Sequence, residues 1–120
     1  MARGDGMRRP FLLAAGAAVF SVAALAATDI PTRYAGSFPS VGRASNITGT
    51  FTGSTLVLKG TLIRGTRFVP ASGRFACARA SSTQTRCNGA YLADDGQSGA
   101  RGILIVTWSG GRPVAMAFSH

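Results

Sequence analysis

Glycine falls so often along this chain that long regular helices have no room between the breaks. There are sixteen in 120 residues, without a Gly-X-Y period. Each glycine inside a helix costs roughly 0.5–1 kcal/mol relative to alanine, so such spacing favours short strands joined by turns. The intervening runs are rich in β-branched and aromatic residues, and none past residue 27 has helical periodicity. Residues 47–52, 55–59, 61–64 and 66–69 read as strands, with Gly60 as a bulge or bend and Gly53-Ser54 as a turn. Residues 70–73, Pro-Ala-Ser-Gly, read as a further turn. Residues 74–80 and 86–92 alternate as a hairpin pair, 102–108 is apolar on both faces, and 112–118 closes the chain after a turn at Ser109-Gly110-Gly111.

The expected fold is therefore all-β: a small antiparallel meander of about seven or eight strands, closed as a barrel or folded as a sandwich. Closure is favoured because it removes exposed strand edges. The expected core comprises Phe51, Leu56, Leu58, Leu62, Phe68, Phe75, Tyr91, Ile103, Ile105, Val114, Met116 and Phe118.

The first 26 residues read differently. Arg3, Arg8 and Arg9 form a basic start, an apolar run extends from Phe11 to Ala26, and Ala24-Leu25-Ala26 has the small-x-small form of a signal-peptidase site. This order is that of a cleavable helical secretory signal, with cutting between Ala26 and Ala27. A retained anchor is disfavoured, because the run is short for a spanning helix, mostly alanine, and interrupted by Gly16 and Ser21. Arg8-Arg9-Pro10-Phe11-Leu12 resembles the bacterial twin-arginine export pattern, but Met7 and Leu13 depart from it, so general secretion stays open beside it. The chain thus divides into a signal peptide at 1–26, an irregular stretch at 27–45 broken by Pro31, Gly36, Pro39 and Gly42, and a compact β domain at 46–120. The expected destination is the bacterial periplasm or the extracellular space, with no transmembrane span after cleavage.

Export places Cys77 and Cys87, the only cysteines, in an oxidising compartment, where a disulfide is expected. Antiparallel pairing of the two would set Phe75 opposite Gly89, with an aromatic ring covering a cross-strand glycine. Closing so short a loop is worth about 3 kcal/mol in chain entropy.

Acid–base chemistry is poorly supplied. The single histidine is His120, no serine stands in a Gly-x-Ser-x-Gly elbow, and the carboxylates past residue 27 are Asp29, Asp94 and Asp95 alone. Residues 94–98, Asp-Asp-Gly-Gln-Ser, lack the spacing and closing glutamate of a calcium loop and read as a polar turn. Asn46-Ile47-Thr48 matches the N-glycosylation acceptor, a match common by chance. The chain is therefore expected not to be an enzyme and to need no cofactor or metal.

Charge is the remaining lead. Residues 27–120 carry ten cations against three aspartates, a net +7. Lys59, Arg64, Arg67, Arg74, Arg79 and Arg86 are the candidate anion-binding residues, since a guanidinium fork suits phosphate and sulfate oxygens. Lipopolysaccharide, acidic lipid or polysaccharide, or a protein partner, would suit such a surface. Nucleic acid is disfavoured by the export signal and by the lack of a recognised motif. The leading expectation is a non-enzymatic envelope or secreted binding module using this basic surface. An inhibitor or small enzyme with a barrel-mouth pocket lined by Tyr91 and Trp108, or a purely structural envelope component, are the alternatives.

Overall fold

The computed structural model describes residues 29–120. The expected signal peptide at 1–26 and its cleavage site between Ala26 and Ala27 lie outside the described residues. What is described is a single sheet of seven antiparallel strands in sequence order, with no helix among these residues. The strands are β1 (Tyr34–Phe38), β2 (Ala44–Phe51), β3 (Thr55–Arg64), β4 (Arg67–Arg79), β5 (Gln84–Ala93), β6 (Gly99–Ser109) and β7 (Arg112–Ser119). The sheet curls into a half-barrel. Each strand is hydrogen-bonded to its sequence neighbours, and β1 and β7 are the two free edges. This is neither the closed barrel nor the two-layer sandwich expected above.

Period-2 alternation sets the inner face. On β3, Leu56, Leu58 and Leu62 are buried while Lys59 is exposed. On β4 and β5, Val69, Phe75, Thr85, Cys87 and Ala93 are buried. Cys77 and Cys87 face each other directly across β4 and β5, and their disulfide forms, as expected. The same register sets Phe75 opposite Gly89. A Cβ at Gly89 would meet the Arg74 carbonyl oxygen, and would stand 2.8 Å from both Phe75 Cα and ring atom Cδ2. Only glycine lets that ring lie flat across the neighbouring strand.

Several sequence expectations change. Residues 34–38, within the stretch read as irregular, form β1, because Tyr34 and Phe38 bury their rings against Trp108. Gly60 does not divide a strand. It sits inside β3 opposite a bulge in β2, where Asn46 takes the left-handed φ of 51° and the register skips between Ser45 and Thr48. Residues 70–73 are not a turn, since β4 runs straight through them. Proline is tolerated there because the Pro70 carbonyl, and hence its nitrogen, points toward β5, whose ladder with β4 ends at Ala71–Ala93. The Asp94 N–H completes that carbonyl at 2.8 Å.

Four core assignments also change. Phe68 is 70% exposed, on the outer face of β4. Leu104, Val106 and Trp108 are the fully buried residues of β6, while Ile103 and Ile105 face outward and are only half-buried. The cause is register: Leu104 pairs with the inward-facing Cys87. Val114 is 54% exposed because a bulge opposes it to no partner; Trp108 pairs with Pro113 and Thr107 with Ala115. Past that bulge, Met116 and Phe118 return to the inner face.

One end of the half-barrel is filled and tied shut. Trp108 packs against Phe51 with ring centroids 4.9 Å apart, and its indole N–H donates to the buried Thr85 hydroxyl at 3.2 Å. Asp29 clamps this end. Its N–H donates to the Ser82 carbonyl, its carboxylate accepts from Gly110 N–H, and its carbonyl accepts from Gly111 N–H, each at 3.0 Å.

Candidate functional site

The opposite end is open. Its rim consists of residues 39–43 between β1 and β2, the β3–β4 turn at Gly65-Thr66, the β5–β6 turn at 94–98, and the C-terminal His120. The inner face changes in side-chain size toward this rim. At the closed end it carries Trp108, Phe51 and Leu56; further along, adjacent strands present Gly60, Ala71 and Gly73. Small residues meeting on neighbouring strands leave space that a sheet of constant curvature does not refill. The result is a cavity of about 510 Å³ opening at the rim. Ligand pockets of roughly 300–1,000 Å³ are the usual range for small molecules.

The lining is largely apolar. Ile47 and Leu58 form its floor, Leu62 one side, and Met116 of the free edge β7 the other. Phe75, Tyr91 and Phe118 make an aromatic wall, with Phe118 edge-on to Phe75 at 6.5 Å and to Tyr91 at 5.6 Å between centroids. Tyr91 thus lines the pocket as expected, whereas Trp108 does not: it is 1% exposed at the closed end. Arg43 and His120 are the ionisable side chains besides the Tyr91 phenol on this lining, and no aspartate or glutamate side chain joins them. Arg43 is exposed, and its carbonyl accepts from Ile63 N–H at 2.9 Å, which ties the β1–β2 connection to β3. The His120 ring lies 5.7 Å from that of Phe118.

The six candidate anion-binding residues do not converge. Lys59, Arg74 and Arg86 are exposed on the outer face, in three different cross-strand rows. Arg74 shares its row with Arg101, through Ala90. Arg79 lies at the closed end and donates to the Ser81 carbonyl at 3.2 Å. Arg64 and Arg67 flank the β3–β4 turn at the rim, directly opposite one another. Arg64 is already engaged, 3.0 Å from the Asp95 carboxylate.

The residues 94–98 form the polar turn expected of them. The Asp95 Oδ1 accepts from Gln97 and Ser98 N–H, both at 2.8 Å, and its Oδ2 from the Ser98 hydroxyl at 2.7 Å and from Arg64. The Ser98 and Gln97 amides, with the hydroxyl and then Arg64, hold this carboxyl well below the ordinary carboxylate range. Both oxygens are thus occupied by donors. Among the described residues no three His, Cys, Asp or Glu side chains cluster.

A pocket at the mouth was an alternative expectation, but Arg43 and the strand positions that open the cavity were not foreseen. The signal for those positions was the presence of Gly60, Ala71 and Gly73 at inward positions, and reading it requires the register of β3 against β4. Comparison with known protein families, with curated proteins and with solved structures finds no match to the chain.

Proposed function

We propose that this chain is an exported, non-enzymatic binding module whose ligand site is the open mouth of the half-barrel. The observation that carries the reading is the apolar cavity of about 510 Å³ with Arg43 among its lining residues and no aspartate or glutamate side chain beside it. Such a site suits an amphipathic molecule with an apolar body and an anionic head. A long-chain fatty acid is the simplest member of that class. The chain would lie against Phe75, Tyr91 and Phe118, and the carboxylate would meet Arg43 at the rim. The disulfide at the closed end and the absence of any helix long and apolar enough to cross a membrane among the described residues are compatible with export. The dispersed outer-face arginines fit long-range attraction to anionic surfaces better than a built oxyanion site.

The test is titration with a fluorescent long-chain fatty acid. We expect saturable 1:1 binding that Ala71→Phe abolishes by filling the cavity. Arg43→Ala should weaken binding of the acid at least several-fold while leaving its methyl ester unaffected. Failure of the unsubstituted protein to bind, or equal binding by Ala71→Phe, would remove the cavity as a ligand site.

A further inference from the structure

The outer face beside the mouth carries a second feature, independent of the cavity. Phe68 is 70% and Leu92 57% exposed, although both are large apolar side chains on strands with a buried alternative face. They lie on neighbouring strands, β4 and β5, at the rim end. Half-buried Ile63 is directly opposite Phe68, and exposed Pro70 lies between the positions of Phe68 and Leu92. Together they make a continuous apolar strip along the outside of the mouth, rather than the scattered single residues usual on a surface.

The charge around this strip is cationic. Lys59 occupies the same cross-strand row as Leu92, through Ser72, and exposed Arg74 stands on the same outer face in the next row. Among the described residues neither cation has an acidic partner. Of the two aspartates at this end, Asp95 is bound by its own turn and by Arg64, leaving the Asp94 carboxylate as the one opposing charge. Exposed apolar side chains flanked by lysine and arginine match the layered chemistry of an anionic bilayer surface: acyl boundary inside, phosphates outside.

We infer that this strip docks the half-barrel onto an anionic lipid bilayer, with Phe68 and Leu92 entering the interface and Lys59 and Arg74 meeting lipid phosphates. The orientation sets the mouth next to the membrane. An acyl ligand would then have a short path from bilayer to cavity, a consequence that rests on the proposed ligand site; the docking itself does not.

The experiment is co-sedimentation of the chain, produced from the full 120-residue sequence, with vesicles of phosphatidylcholine alone or with about a third phosphatidylglycerol. The expected result is partitioning onto the anionic vesicles that falls steeply in 0.5 M salt, because exposed charges are screened over a few ångströms there. Phe68→Ser with Leu92→Ser should lower that partitioning at least tenfold, and Lys59→Gln with Arg74→Gln should remove the preference for anionic lipid. All four positions are exposed, so folding is checked simply by an unchanged Trp108 emission spectrum. No binding to anionic vesicles, or undiminished binding by the Phe68→Ser/Leu92→Ser protein, overturns the inference; the latter result would place adhesion on the arginines elsewhere. Fatty-acid titration of the same double variant separates the two readings: retained fatty-acid binding with lost vesicle binding is the expected pattern.

Discussion

Thr85 offers the sharpest test of how the closed end is held. It is the one buried polar side chain among the described residues, 1% exposed, and its hydroxyl oxygen accepts the Trp108 indole N–H at 3.2 Å. Trp108 is itself 1% exposed, so water cannot replace that acceptor. Thr85→Val preserves shape and removes the oxygen. Leaving a buried donor unpaired costs about 1–3 kcal/mol. The methyl group that replaces the hydroxyl returns about 0.8 kcal/mol of apolar burial at most. The net expectation is a loss of about 0.5–2 kcal/mol, and a melting temperature lower by about 4–8 °C for each kcal/mol in a domain of this size. The assay is urea unfolding followed by fluorescence, for which Trp108, the only tryptophan, is a built-in probe at the site of the change. A double-mutant cycle isolates the bond. In the Trp108→Phe background, followed by circular dichroism, Thr85→Val should cost nothing or stabilise slightly, giving a coupling of about 1 kcal/mol or more. Equal costs in the two backgrounds would refute the claim that the hydroxyl–indole bond contributes to stability.

Two further outcomes follow from the same structure. Cys77→Ala removes the β4–β5 cross-link and should lower stability by about 2–4 kcal/mol, read as a shifted denaturant midpoint; an unchanged midpoint would show that the bridge contributes nothing. Asp95 has its folded pKa depressed, so its contribution is complete above the unfolded value of about 3.9 and is lost as pH falls through the folded value. Wild type should therefore melt above Asp95→Asn at neutral pH, with the two converging as pH drops below about 4, and a gap that persists in acid would contradict the assignment.

The expectations that held were those with a local or covalent cause. Strand content follows from alternation and from glycine breaks, which act over a few residues. The β4–β5 hairpin was legible because a disulfide between Cys77 and Cys87 admits little freedom of register, and that register carries Phe75 onto Gly89. Where the sequence was ambiguous, it was so for a physical reason. Residues 103–106 are apolar at every position, so alternation is silent about which face is inward; pairing of Leu104 with Cys87 decides it. Val114, Met116 and Phe118 share a parity on paper, and one bulged residue breaks it. Phe68 is as hydrophobic as Phe75, but the two stand seven residues apart on β4, so alternation turns one out and the other in; reading 70–73 as a turn hid that shared strand.

The site belongs wholly to that second category. By itself the sequence determined an all-β chain of short antiparallel strands with one bridged hairpin, because propensity, turn chemistry and disulfide geometry are short-range. It did not determine that β1 and β7 stay unpaired with one another, that Asp29 ties one end shut, or that Gly60, Ala71 and Gly73 fall side by side to leave a cavity with Arg43 at its mouth. Those features depend on curvature and cross-strand register summed over seven strands. A sum of that kind has no signature in any single window of residues, so the tertiary structure alone decides it.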